Sequence, residues 1–189
     1  MKVPEAAATD WSRDGKFIVY QARTPKTKFD LWVLPLDGDR KPFPFLQTEF
    51  SEAWGQLSAD GRWMVYESDE SGRLEVYVQS FSADRSGATS GPGGKWQIST
   101  SGGEEPKWRR DGKELFYLAG TKLMAVDVKT GSTTFEAGVP KALFDTRLGA
   151  GFRHYAVTAD GQRFLINTPI EETTVLPVTV VVHWTAGLK

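Results

Sequence analysis

The sequence predicts an all-β protein, a partial or small β-propeller of about four four-stranded meander blades. A strand–turn–strand pattern occurs four times, and each copy centres on an Asp-Gly pair whose glycine is Gly15, Gly61, Gly112 or Gly161. These glycines are 46, 51 and 49 residues apart, and a repeat of that length filled with short strands is typical of a propeller. The 7 tryptophans and 19 glycines agree with this prediction, because large aromatic residues favour strands and glycine favours turns.

Each copy predicts its strands in the same order. The Asp-Gly pair predicts a hairpin turn of type I′, because both central residues tolerate a positive φ. An apolar second strand follows each turn, at residues 17–20, 63–66, 115–118 and 164–166. Third strands are predicted at residues 31–36, 75–81, 123–128 and 179–184. Weaker fourth strands are predicted at residues 43–46, 96–99 and 142–144. No helical periodicity persists for three turns.

The repeats divide the chain into blades of roughly residues 1–50, 51–103, 104–151 and 152–189, within one propeller domain. The first and last units lack strands, so the chain is expected either to close as a small ring or to be the C-terminal portion of a larger propeller. Unpaired terminal edges favour pairing between chains. A homodimer is therefore expected through residues 179–184 or through the N-terminal hairpin.

Charge and composition exclude several classes of partner. The net charge is −1 and no long basic block is present, so neither nucleic acid nor an anionic membrane surface is an expected partner. The longest apolar stretch, residues 175–184, is much shorter than the roughly 20 residues that span a bilayer. With no cysteine and only 2 histidines, we expect no disulfide, no metal site and no cofactor. The N-terminal residues do not read as a signal peptide.

The turn sequences resemble a known repeat family. Residues 10–16 read Asp-Trp-Ser-Arg-Asp-Gly-Lys, and residues 106–113 read Pro-Lys-Trp-Arg-Arg-Asp-Gly-Lys. Both resemble the Pro-x-Trp-Ser-Pro-Asp-Gly-Lys repeat of TolB-type propellers, and residues 17–20 and 30–33 look like the second and third strands of that family. The proline of the family's Ser-Pro-Asp-Gly core is replaced in every copy, by Arg13, Ala59, Arg110 and Ala159.

The C-terminal residues 177–189 resemble the end of bacterial multi-domain proteins that carry such propellers, including receptor-type serine/threonine kinases. That resemblance implies a sensing or docking role, and the resemblance to TolB implies periplasmic protein–protein contact. Related propellers also cap prolyl-oligopeptidase-type hydrolases and gate access to a separate catalytic domain. The family places no catalytic residue on this repeat. An extracytoplasmic location is favoured if the parent protein is exported.

The expected function is therefore non-catalytic: protein–protein interaction or ligand sensing in a bacterial envelope or signalling protein. The sequence contains neither a Gly-x-Ser-x-Gly nucleophile elbow nor a Walker phosphate-binding loop. The alternative is the propeller part of an enzyme. It would be either the gating domain of a prolyl-oligopeptidase-like hydrolase or a lyase or hydrolase with its site in the channel.

The loops that lead into the inner strands form the expected binding face, because loops on a rigid scaffold commonly carry binding residues. The candidates are Phe50, Glu52, Glu105, Phe152, Arg153 and His154. The two phenylalanines are aromatic anchor candidates. His154 precedes an inner strand, so it either faces the channel or is a plain polar residue at a strand end. The alternative is that these are ordinary connections with the phenylalanines turned inward. The turn aspartates are expected to stabilise the turns. The tryptophans at 11, 54 and 108 are expected to share one position in blade packing.

Overall fold

In the computed structural model every regular element is a β-strand. The structure describes residues 5–24, 28–82, 94–131, 133–149 and 154–169, and no helix occurs in those ranges. All strand pairs are antiparallel, and their order in each sheet follows the chain. The predicted all-β class with four-stranded meander blades is confirmed.

Four sheets form successive blades. Blade 1 contains β1 (Ala6–Trp11), β2 (Phe17–Arg23), β3 (Phe29–Pro35) and β4 (Phe43–Leu46). The expectation that the first unit lacks a strand is therefore wrong, because β1 pairs with β2 as the inner strand. Blade 2 contains β5 (Glu52–Leu57), β6 (Trp63–Ser68), β7 (Glu75–Ser80) and β8 (Lys95–Gln97). Blade 3 contains β9 (Glu104–Trp108), β10 (Glu114–Ala119) and β11 (Lys122–Thr130), and β12 (Phe135–Ala137) and β13 (Lys141–Asp145) both pair with β11. The described part of blade 4 contains β14 (Tyr155–Val157) and β15 (Phe164–Ile166). The strand predicted at residues 179–184 lies outside the described residues.

The Asp-Gly turns differ in type from the prediction. All four turn glycines have a φ between 67° and 75°, but the preceding aspartates do not have a positive φ. The Gly15 amide donates to the Ser12 carbonyl at 2.9 Å, which closes a four-residue turn. Type I′ requires a positive φ at both central residues and is therefore wrong here; the geometry fits a type I turn followed by a left-handed glycine.

The turn aspartates act as predicted from the sequence. The Asp14 Oδ1 atom accepts hydrogen bonds from Ser12 Oγ at 2.7 Å and from the Lys16 amide at 3.1 Å. Equivalent bonds to the amide two residues further on occur at the other three turns, from Arg62, Lys113 and Gln162. Side-chain hydrogen bonds from Ser12, Ser58, Arg109 and Thr158, together with these amide bonds, lower the pKa of Asp14, Asp60, Asp111 and Asp160 respectively. The aspartates therefore stabilise the hairpins and do not form a charged binding cluster.

Replacement by alanine is expected to lower the free energy of unfolding by different amounts at two of the turn glycines, Gly61 and Gly161. A Cβ at Gly61 would meet nothing within 4 Å, whereas a Cβ at Gly161 would lie 2.7 Å from Arg109 Cδ and 3.1 Å from Phe116 Cζ. We expect Gly61→Ala to lower the free energy of unfolding by about 1–2 kcal/mol, the cost of left-handed backbone for a residue with a Cβ. Gly161→Ala should lower it by about 1–3 kcal/mol more, because it also overpacks the blade 3–4 contact. Denaturant unfolding tests both values; equal losses would show that the contact at Gly161 relaxes freely.

The blades are held together by an apolar core at each junction. We call the sheet face that packs on the following blade the trailing face, and the opposite one the leading face. The blade 2–3 junction shows the pattern: Val65 and Val78 of blade 2 pack in one cluster with Leu115 and Tyr117 of blade 3. Trp63 joins this cluster, 5.4 Å from the Trp96 ring and 5.5 Å from the Phe135 ring. Similar clusters fill the 1–2 and 3–4 junctions.

The three tryptophans do not share one repeat position, so that prediction is wrong. Trp11 and Trp108 lie four residues before their turn glycines, where blade 2 has Leu57. Trp54 lies seven residues before Gly61, in a β-bulge of the inner strand. The inner strands of blades 1 and 3 contain a bulge as well, so Trp54 differs from Trp11 and Trp108 by its place in the repeat: it lies three residues before the packing position, which Leu57 fills.

Candidate binding site at the entrance face

The candidate site lies where the inner strands β1, β5, β9 and β14 begin, and we call this side of the blades the entrance face. Trp54 and Glu105 occupy the same repeat position there, seven residues before Gly61 and Gly112. Both have a left-handed backbone, with φ of 55° and 49°. A positive φ is rare for a bulky residue and is energetically unfavourable, so something in the surroundings must hold it.

Side chains from the preceding blade hold both left-handed residues. The Trp54 amide donates to Gln21 Oε1 at 3.0 Å, and the Glu105 amide donates to Glu67 Oε2 at 2.8 Å. Gln21 and Glu67 are themselves equivalent, each six residues after its turn glycine. The second strand of one blade therefore supplies an oxygen acceptor for the inner-strand bulge of the next.

The pattern changes at the junction of blades 3 and 4, where Leu118 of blade 3 occupies the acceptor position and its side chain cannot accept a hydrogen bond. Glu105 takes over this role. Its carboxylate accepts from the His154 amide at 2.9 Å and lies 2.8 Å from His154 Nδ1. The Tyr155 hydroxyl donates to the Glu105 carbonyl at 2.9 Å. Glu105 therefore links blades 2, 3 and 4 through one residue.

Two clefts open on the entrance face and share Trp54 and Thr9 as wall residues. The first, of about 510 Å³, lies between blades 1 and 2, and its other wall residues include Glu5, Gln21, Arg23, Phe29 and Glu67. The second, of about 500 Å³, reaches blade 4, and its other wall residues include Lys107, His154, Tyr155, Leu165 and Asn167. Trp54 is half-buried and lines both clefts, which places this residue between them.

Burial perturbs the acidic groups of this region. Burial raises the pKa of Glu67 to about 8, and the charges of Glu104 and Glu105 act in the same direction, against the hydrogen bond from the Glu105 amide. Burial also raises the pKa of Glu52 to about 7. Burial and the charge of Glu105 raise the pKa of Tyr155 well above 10.0. Below pH 7 the first cleft therefore presents a neutral carboxyl group at Glu67, able to donate as well as accept.

The structure places the predicted site residues in different environments. Glu105 and His154 come together and bond to each other. The Glu52 side chain is buried, hydrogen-bonded to the Thr48 hydroxyl, and lines neither cleft. Phe50 is half-buried and also lines neither cleft. Phe152 and Arg153 lie outside the described residues. That these six residues bind a partner stays a prediction.

Sequence reasoning missed Gln21, Glu67 and the role of Trp54. Gln21 and Glu67 each follow directly after an apolar run, so in the sequence they look like ordinary strand residues. A usable signal was present, because a polar side chain with an oxygen acceptor stands six residues after the turn glycine in three of the four copies: Gln21, Glu67 and Asn167. The bulge that contains Trp54 leaves no such mark in the sequence.

The described residues contain no group of three or more side chains that could hold a metal ion. None of the elements described is a helix long and apolar enough to cross a membrane.

Comparison with solved structures identifies the fold. An Acinetobacter baumannii TolB has a TM-score of 0.65 at 18% identity, and it is covered over 39% of its length by 91% of this chain. An Agrobacterium tumefaciens protein assigned as TolB has a TM-score of 0.59 at 19% identity, with 77% of this chain covering 51% of that one. The described part has a TolB-like β-propeller fold. A Bacteroides uniformis protein assigned as a 6-phosphogluconolactonase has a TM-score of 0.55 at 17% identity, with 88% of this chain covering 48% of it.

These similarities concern the fold alone, because all three identities are below 20%. This propeller chain spans about half or less of each similar structure. The comparisons support the TolB-like part of the sequence resemblance and give no support to the receptor-kinase part. No family model and no curated protein matches the sequence.

Proposed function

We propose that this propeller is a non-catalytic binding module that holds a protein segment or a small ligand at the entrance face, against Trp54. The observation that carries the proposal is the left-handed backbone of Trp54, φ 55°, locked by Gln21 from the neighbouring blade. Residues held in sparsely populated backbone regions cost about 1–3 kcal/mol each and cluster at functional sites. Here the strained conformation sets a large aromatic side chain between two clefts.

The walls of the clefts suit a partner with an apolar group between polar ones. Each cleft has a volume within the usual range for ligand sites, about 300–1,000 Å³. The first has the charged pair Arg23 and Glu5 at its rim, 3.8 Å apart. The second has the Lys107 ammonium group, which lies 5.0 Å from the Tyr155 ring centre. Tryptophan in such a setting is a common hot spot of protein interfaces.

A random peptide library tests the proposal without knowledge of the natural partner. Peptides are selected on the wild-type protein, and their affinities are compared for the wild type and for Trp54→Ala. We expect a loss of at least about tenfold, because truncating an aromatic anchor commonly costs 1–2 kcal/mol or more of binding free energy. Trp11→Ala, measured at concentrations where the protein has the mass of one chain, is the matched control, since Trp11 lines neither entrance cleft. Peptides that bind Trp54→Ala and wild type equally would overturn the proposal, and a library that yields no binding peptide would exclude a protein segment as the partner.

The competing function, hydrolysis, has one observation in its favour, the Glu105–His154 pair. A carboxylate bonded to one ring nitrogen of a histidine orients the imidazole, and the other nitrogen can then accept a proton from water. His154 lines the second cleft, and a protein assigned as a lactonase shares the fold. A hydrolase would open glucono-δ-lactone or p-nitrophenyl acetate, and His154→Gln would abolish that turnover. We expect hydrolysis no faster than in buffer for both proteins.

The proposal includes the cellular setting implied by the TolB-type turn sequences, an extracytoplasmic part of a bacterial envelope or signalling protein. Cell fractionation with an antibody against residues of an exposed turn, such as residues 109–113, tests this setting. Recovery in the periplasmic or membrane fraction supports it, and recovery in the cytoplasm alone contradicts it.

A further inference from the structure

Two residues of the interblade core are exposed, although their equivalents in the other blades are buried. One such position lies four residues after each turn glycine. Its residues in blades 1–3, Val19, Val65 and Phe116, are at most 1% exposed, but Leu165 in blade 4 is 76% exposed. It belongs to the trailing face. The second position lies four residues before each turn glycine. Leu57 and Trp108 at this position are 6% and 7% exposed, but Trp11 in blade 1 is 66% exposed. The two ends of the described part therefore each leave a packing residue open to solvent.

The leading face of blade 1 carries the same kinds of apolar and aromatic side chains as the buried leading face of blade 2. Ile18, Tyr20 and Trp32 lie on this face and are only half-buried, with the rings of Tyr20 and Trp32 stacked at a centroid distance of 6.4 Å. Their equivalents in blade 2 are Met64, Tyr66 and Tyr77, which are 0%, 0% and 3% exposed because blade 1 packs on them. The face of blade 1 has the same chemistry but lacks a neighbour in the described part of the chain.

The trailing face of blade 4 carries matching groups. Leu165 occupies the position that fills the core in blades 1–3. Asn167 occupies the position where Gln21 and Glu67 accept a hydrogen bond from the next blade, and its side-chain oxygen can accept in the same way. Blade 4 is therefore equipped to receive the leading face of another blade.

We propose that a second copy of this chain covers both faces, with the trailing face of blade 4 of one copy packed on the leading face of blade 1 of the other. A second copy fits because each chain carries both halves of the junction, and the internal 1–2 and 2–3 junctions show how such halves pack. The contact is heterologous, so it closes into a ring or continues as an open assembly. It buries sheet faces and differs from the strand-edge pairing expected from the sequence. The proposal is independent of ligand binding at the entrance face.

The hydrogen bonds of Trp108 at the blade 2–3 junction indicate which bonds Trp11 can form in this contact. The Trp108 amide donates to Gln56 Oε1 at 2.7 Å, and its indole Nε1 donates to the Gln56 carbonyl at 3.1 Å. In blade 4 the position of Gln56 is Ala156, which retains the carbonyl but has no side-chain acceptor. Packing of Trp11 on blade 4 thus keeps one of the two hydrogen bonds of the 2–3 junction, whereas the 1–2 junction also has one, from the Leu57 amide to Asp10 Oδ2.

A mixing experiment tests the head-to-tail contact. Trp11→Glu places a charge on one face and Leu165→Arg places a charge on the other. Light scattering over about a hundredfold range of protein concentration gives the mass, because association follows mass action. We expect wild type to reach the mass of two or more chains at high concentration, and each variant to stay at one chain. An equimolar mixture should regain the mass of two chains and no more, through the one intact pair of faces.

Val139→Arg is the control, since Val139 is 79% exposed and lies on neither face; it should assemble as wild type does. Thermal melts establish that each variant is folded, and Trp11→Ser or Leu165→Ser replaces a variant that is not. A wild type that stays at one chain, a variant that still assembles, or a mixture of folded variants that fails to assemble would each overturn the proposal.

Discussion

Replacing Trp63 with alanine is expected to lower the free energy of unfolding by about 3–5 kcal/mol, the usual loss for a large aromatic residue in a core. Trp63 is 1% exposed and packs against the rings of Trp96 and Phe135. These rings come from the outer strands of two different blades, so the cavity would open at the blade 2–3 junction. Chemical denaturation followed by circular dichroism measures the loss.

Trp11→Ala makes the same change at an exposed tryptophan and serves as the control. At concentrations where light scattering gives the mass of one chain, it should change the free energy of unfolding by no more than about 0.5 kcal/mol. A small loss for Trp63→Ala, close to that of the control, would mean that the junction collapses around the cavity. Equal large losses would mean that Trp11 is packed in solution even in the single chain.

The stability of the protein is expected to fall as the pH rises from about 5 to about 9, because of the buried carboxyl group of Glu67. Its pKa is raised from 4.5 to about 8, so the folded state holds a proton that the unfolded chain releases. Between these two values the folded state binds more protons than the unfolded state. The stability contributed by the neutral group is therefore complete below pH 4.5 and is lost as the pH passes through 8. Glu52, with a pKa raised to about 7, acts in the same direction.

Glu67→Gln should remove the larger part of this pH dependence. Gln21 already performs the same task in blade 1, where its Oε1 accepts from the Trp54 amide, so an amide fits the role. Near pH 5 the variant should be about as stable as wild type, and at pH 9 it should be more stable by up to about 5 kcal/mol, given ~1.4 kcal/mol for each pH unit between 4.5 and about 8. Glu136→Gln removes an exposed carboxyl and should leave the profile unchanged. A Glu67→Gln profile parallel to that of wild type would contradict the assignment.

The strands and turns could be predicted because their signals are local. An Asp-Gly pair fixes a turn within six residues, and the apolar run after Gly61 marks a buried strand whatever follows it. The turn type was wrong because the aspartate side chain bonds to Ser12 Oγ and the Lys16 amide, which favours a negative φ at Asp14 despite the tolerance of aspartate for the left-handed region.

The candidate site was only partly predictable because it depends on contacts between blades. Glu105 and His154 stand at inner-strand starts, which the repeat alone could indicate, but their bond to each other spans 49 residues. Glu67 accepts the hydrogen bond from the inner strand of blade 3, but its equivalent in blade 3 is Leu118, so Glu105 accepts the bond from blade 4 instead. Leu118 is an apolar residue that looks ordinary in a strand. The left-handed Trp54 follows from a bulge, and a bulge is set by pairing with the neighbouring strand.

The most direct test of the account is the dissociation constant of the tightest library-selected peptide, measured by calorimetry on wild type, Trp54→Ala and Trp11→Ala. If the entrance face is the binding surface, Trp54→Ala weakens the complex at least about tenfold and Trp11→Ala leaves it within about twofold. An unchanged constant for Trp54→Ala, with a loss at Trp11→Ala instead, would contradict the account and place the binding surface on the open side of blade 1.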